Sequence, residues 1–154
     1  SIFFFYLNLF KEFMILIELV PNLWLGDQES VNYKEKLNIN AVINCSKDLH
    51  FLGNYQEYII DIKSTLEKYE IIKMYEYMVE TVEFIYKNLS QDRNVLVYCE
   101  NANQKSATIC AAFLIKYGKM DKESAIKSIR SKHKSAFYPD INYGMSLEMF
   151  AKEN

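Results

Sequence analysis

The chain has 154 residues, half of them apolar, with 18 basic against 20 acidic side chains and a net charge of −2. That length carries one domain with a core large enough to fold unaided, and the near balance of charge excludes the broad basic face that nucleic acid requires. The three cysteines, Cys45, Cys99 and Cys110, are odd in number and lack metal-ligand spacing. They exclude a disulfide framework and a cysteine-held metal, and they point to a reducing intracellular setting, cytoplasmic or nuclear.

Residues 1–13 are strongly apolar and aromatic, but Lys11 and Glu12 interrupt them, and no positive leader or small-residue cleavage site is present. Neither a signal peptide nor a membrane span is expected. An apolar arm over residues 1–14 must bury itself somewhere, and it precedes a globular domain over residues 15–154. Residues 15–20 alternate as a strand, Pro21-Asn22 turns the chain, and Leu23-Trp24-Leu25-Gly26 begins a second strand with Trp24 as core packing. Asp27 caps a helix running to about Leu37, and residues 39–45 form a buried strand containing Cys45. His50 and Phe51 fall in a polar loop, and residues 58–62 form the next strand.

From Ile71 apolar residues recur at Met74, Met78, Val82, Ile85 and Leu89, which predicts an amphipathic helix whose methionines pack the core. Residues 95–98 read as the central strand and residues 106–117 as an apolar helix closed by Gly118. Asp121 caps a helix with Ala125, Ile126 and Ile129 on its inner face and His133 in its last turn, as a helix-end residue. The basic residues 130–134 read as a solvated helix end. Pro139 breaks the chain, and Tyr143, Leu147 and Phe150 mark a final helix. The alternation predicts an α/β fold: a central, mostly parallel twisted sheet with helices on both faces and a site at the carboxyl ends of the strands.

One stretch carries chemistry. Residues 94–98 are a β-branched apolar run that ends in Cys99; a polar loop comes next, and Ser106 opens an apolar helix. A lone cysteine there is ordinarily a small buried hydrophobe. Under a helix N-terminus, however, backbone N–H groups converge on one anion, and the same field favours a thiolate nucleophile. From Cys99 the spacing runs through five residues to a cation, Lys105, and then to the hydroxyl of Ser106.

This layout resembles the His-Cys-x5-Arg-Ser loop of the dual-specificity protein phosphatases. The flanking Val95-Leu96-Val97-Tyr98-Cys99-Glu100 and Ser106-Ala107-Thr108-Ile109-Cys110 resemble that family too, as does Glu18-Leu19-Val20-Pro21-Asn22-Leu23-Trp24-Leu25-Gly26. The resemblance covers about residue 15 to the C-terminus. It implies a phosphatase-type loop in which Cys99 attacks phosphorus and Ser106 bonds the sulfur. Glu100, Asn101, Ala102, Asn103, Gln104 and Lys105 would then surround the phosphoryl oxygens. It implies no metal or other cofactor. Some viral members dimerise by exchanging an N-terminal helix, which makes residues 1–13 a candidate homodimer contact.

Several positions depart from the family pattern. Tyr98 stands for the histidine, and Lys105 for the arginine, so one ammonium replaces a planar fork. No aspartate lies in residues 63–68, where the family's general acid is expected, and Glu67 is the candidate substitute. Ala102 stands where the family has glycine, beside Asn101 and Asn103, which tolerate positive φ better than most residues. The chain therefore supports two readings: a pseudophosphatase that binds phosphoproteins or protein partners, and a slow phosphatase for tyrosine, serine or threonine phosphates. Rhodanese-like sulfur transfer is a distant third, because the flanking text matches phosphatases.

Overall fold

A computed structural model describes residues 14–47 and 55–154. The expectations for residues 1–13 and for His50 and Phe51 lie outside those residues. A hairpin of β1 (Leu16–Val20) and β2 (Leu23–Gly26) opens the domain. Asn22 takes φ +73 in its turn, the left-handed position that Pro21-Asn22 provides for. Gly26 ends β2 because a Cβ there would stand 2.2 Å from Ser30 Oγ.

Asp27 caps the next segment, accepting from Glu29 N at 3.0 Å and Ser30 N at 3.1 Å. The helix it starts is shorter than the sequence predicts, a 3-10 helix over Gln28–Tyr33. Ser30 and Asn32 are weak helix formers, and Asn38, at φ +54, turns the chain into β3 (Ile39–Asn44). β4 (Gln56–Ile59) pairs with β3 in parallel.

The predicted amphipathic helix is α1 (Lys68–Leu89), with Met74, Met78, Val82 and Ile85 buried at its spacing. Next come β5 (Asn94–Tyr98), α2 (Lys105–Lys116), α3 (Lys122–Lys132) and α4 (Gly144–Glu153). Every residue of α2 from Ser106 to Ile115 is buried. After α2 the left-handed residue is Lys119, at φ +56. Gly118 is needed for space, since a Cβ would meet the Leu114 carbonyl oxygen at 2.5 Å.

The sheet runs β1-β2-β5-β3-β4, antiparallel at the first pair and parallel elsewhere. Its period-2 alternation separates two cores. Leu23, Leu25, Ala41, Ile43, Val95 and Val97 face the four α-helices. Trp24, Val42, Leu96 and Tyr98 face the other way, where Val31, Tyr33 and Leu37 cover them. Both faces are thus flanked by helix, one by α-helices and the other by the 3-10 segment. At the β1 edge Lys132 Nζ donates to the carbonyls of Glu18 and Leu19, at 3.2 and 2.9 Å. Placing β5 between β2 and β3 puts its carboxyl end, and Cys99, at the middle of the molecule's loop-bearing rim.

Candidate active site

Cys99 comes directly after the last residue of β5, and its N–H still donates to Gly26 O at 3.3 Å, so the sheet fixes its backbone. Its side chain is 1% exposed and lies on the helical face of the sheet. Sγ stands 3.1 Å from Ser106 Oγ in the first turn of α2. No side chain caps α2, whose Ncap is Gln104. The first-turn N–H groups, which a helix leaves without internal partners, therefore open toward the loop.

The loop turns on Ala102, which adopts φ +64 with its methyl fully buried. Asn101 braces the turn by accepting from Asn103 N at 3.0 Å, and its Oδ1 lies 4.0 Å from the sulfur. The left-handed residue is therefore Ala102, not either asparagine. Asn103 and Gln104 direct their side chains away from the sulfur to residues 133–142. Of the loop side chains, those of Asn101 and Ser106 stay within reach of the sulfur.

Lys105 is the half-buried cation, its side chain 13% exposed, with Nζ 3.9 Å from Glu100 Oε1. The same oxygen accepts from Ser46 Oγ at 3.1 Å. Glu100 therefore ties the end of β3 to the start of α2 and places a carboxylate beside the ammonium. Sequence spacing gives no sign of this pair, because Ser46 and Glu100 are brought together by the neighbouring strands β3 and β5.

Tyr98 is fully buried on the far side of β5, in the smaller core. Burial, followed by the nearby Glu57, pushes its phenol well up, so it holds its proton throughout the ordinary pH range. Burial also pushes up the thiols of Cys45 and Cys110, with Cys99 adding to each shift. They are neutral packing residues of the larger core.

Glu67 is the Ncap of α1, exposed, with no side-chain capping bond. Among the described residues no hydrogen bond or ion pair joins its carboxylate to residues 99–106. Its segment is instead positioned by Glu70, which is 1% exposed and accepts from Lys63 N at 3.2 Å. Tyr143, which the sequence marks as part of the last helix, is the Ncap of α4. Its buried hydroxyl lacks a hydrogen bond of full geometry and lies within electrostatic reach of Ser64, Glu70 and Cys99, while burial pushes its phenol up. Among the described residues no cluster of histidine, cysteine and acidic side chains fits a metal ion. No helix among them is long and apolar enough to cross a membrane.

The chain matches, over residues 23–153, the family profile described as dual specificity phosphatase, catalytic domain. It is 27% identical over 142 residues to human dual specificity protein phosphatase 1, a match covering 89% of this chain and 37% of that protein. The chain thus spans just over a third of that relative's length. Its fold is similar to that of human DUSP28, with a TM-score of 0.79, 17% identity and coverage of 90% of this chain and 93% of that one. It is similar as well to the human tyrosine phosphatase-like serine/threonine/tyrosine-interacting protein, with a TM-score of 0.77, 18% identity and coverage of 90% and 96%.

Proposed function

The chain belongs to the dual-specificity phosphatase family, and from that premise we propose that it is a pseudophosphatase, a phosphatase-type domain that binds phosphoproteins or protein partners with little or no turnover. The single observation that carries this reading is the state of the cation. Lys105, at the position of the family's arginine, is shared with the Glu100 carboxylate of its own loop. An incoming phosphoryl group therefore meets one ammonium already paired, with no planar fork to grip two oxygens.

Cys99 is the nucleophile position, and Ser106, within hydrogen-bonding range, is the hydroxyl that steadies the sulfur. The Ala102 turn and the α2 N-terminus supply the anion-receiving backbone. Losing a bidentate transition-state donor costs about 10²- to 10³-fold in rate, and lacking a general acid costs about 10²- to 10⁴-fold. If independent, the two together lower turnover by roughly 10⁴- to 10⁷-fold. Glu67 stands as the acid of last resort, on an exposed helix start with no side-chain capping bond.

The second reading, a slow phosphatase working through a cysteinyl-phosphate, is favoured by the close Cys99–Ser106 contact. Hydrolysis of para-nitrophenyl phosphate by the wild type and by Cys99→Ser separates the two. The pseudophosphatase reading expects equal, background rates together with measurable binding of tungstate or a phosphopeptide. A wild-type rate that disappears in Cys99→Ser overturns it in favour of the slow enzyme. Sedimentation of the full chain and of a chain lacking residues 1–13 tests the homodimer, which requires a mass that falls only on deletion.

A further inference from the structure

Most polar contacts of the loop after Asn101 are made with residues 133–142, which play no part in the chemistry above. His133 ends α3 with its side chain 4% exposed, and its Nε2 lies 2.9 Å from Asn103 Oδ1. The ring also hydrogen-bonds the Ala102 backbone, while burial holds the imidazole below its usual value. Ser135 Oγ donates to the same Asn103 oxygen at 3.3 Å, and Phe137 N donates to Asn103 O at 2.7 Å. Gln104 Nε2 donates to Tyr138 O at 3.4 Å and Asp140 O at 2.9 Å, and its Oε1 accepts from Asn142 N at 3.1 Å. The segment is braced in turn by Arg130, which donates to Ala136 O at 3.0 Å and Phe137 O at 3.1 Å.

These bonds fall on Ala102 and the two residues after it. A residue with a Cβ held at φ +64 is uphill by about 1–2 kcal/mol in the left-handed region, so Ala102 keeps that turn only where its surroundings over-determine it. We infer that residues 133–142 are a strap that positions the loop: His133 through Asn103, and Gln104 through Asp140 and Asn142, hold Ala102 in the turn that a glycine would adopt unaided. The strap thereby keeps the loop shaped for a tetrahedral oxyanion. His133 acts through the loop backbone and does not touch the anion, so it is a positioning residue. The inference rests on the phosphoryl-binding reading of the same loop.

The test is tungstate affinity, measured by titration calorimetry on the full chain, with circular dichroism to confirm folding. His133→Ala is expected to weaken binding about tenfold, and His133→Gln, which keeps a side-chain amide able to bond Asn103, to stay within about twofold of wild type. Ala102→Gly in the His133→Ala background is expected to restore the affinity, a rescue that loss of general packing would not show. Should His133→Ala fail to fold, Gln104→Ala replaces it, with the same loss and the same rescue. Unchanged affinity in the folded variant, or a loss that Ala102→Gly does not repair, overturns the strap and leaves phosphoryl binding standing. A wild type that binds no tungstate overturns both.

Discussion

Two walls meet at Cys99, and they are built to different standards. On the α2 side the loop of residues 99–106 is buried at Cys99, Ala102 and Ser106 and stitched by side-chain and backbone bonds to α3 and the strap. On the α1 side residues 63–69 are exposed throughout. Two of them, Ser64 and Leu66, sit at φ +64 and +62 without being glycine. Their anchoring consists of a few contacts, such as Lys63 N to Glu70 and a long bond of 3.4 Å from Glu67 N to Thr65 Oγ1. The loop of residues 99–106 is densely bonded, and residues 63–69 are a thinly tethered surface segment. Local stability tracks the density of buried contacts, so the two walls differ in rigidity as well as in chemistry.

The largest expected effect tests the assembled wall. Lys105→Arg puts a planar fork at the loop's cation position and should raise aryl phosphate hydrolysis about 10²- to 10³-fold, read as an initial rate with para-nitrophenol as leaving group, whose departure needs little protonation. The same variant acting on an alkyl phosphate should gain much less, because that leaving group needs an acid. Equal gains on both substrates would show that the α1 wall does supply one.

Glu70→Ala is directed at the other wall. It leaves Lys63 N without its acceptor and should cost about 1–3 kcal/mol in urea unfolding, with amide exchange quickening in residues 63–67 before residues 99–106. A smaller gain is expected from Ala102→Gly alone, about 1 kcal/mol of added stability from relief of the left-handed strain. Smaller again, Glu100→Gln frees the ammonium from a long, partly exposed pair, worth about 0.2–1 kcal/mol on the scale of surface pairs. Tungstate binding should tighten no more than about fivefold, and less in high salt.

The last prediction concerns pH. Burial keeps His133 below its unfolded value of 6.5 despite the Ala102 bond. As pH falls, the unfolded chain takes up the proton first, so this contribution to stability is intact above about pH 6.5 and declines below it. The side chains bonded to the ring or to its partner, Asn103 and Ser135, are neutral, and among the described residues no carboxylate contributes to the shift of the ring. Urea midpoints at pH 7.5 and 5.5 should therefore differ more in the wild type than in His133→Gln.

The strand-loop-helix unit is legible in the chain because its signals are local: an apolar run, a cysteine, and a cation and hydroxyl at fixed spacing. The 3.6-residue repeat of Met74, Met78, Val82 and Ile85 announces α1 in the same way. What stays hidden is long-range. Ser46 with Glu100, and Asn103 with His133, are pairs made by strand order and by the return of α3, and no spacing in the chain encodes them. The 3-10 helix falls short of the predicted length because a good cap at Asp27 says where a helix starts and nothing about how long its residues sustain it. The sign of φ at Ala102 is likewise settled by its neighbours, against the residue's own preference.

The two margins of the sheet carry a further consequence. At β1 the ammonium of Lys132 already occupies the carbonyls of Glu18 and Leu19. At the opposite margin β4 is only four residues long and carries Gln56 and Glu57. A strand from another molecule would meet two carbonyls already bonded on one side and a short template carrying a carboxylate on the other, two features that each disfavour growth of the sheet by edge addition.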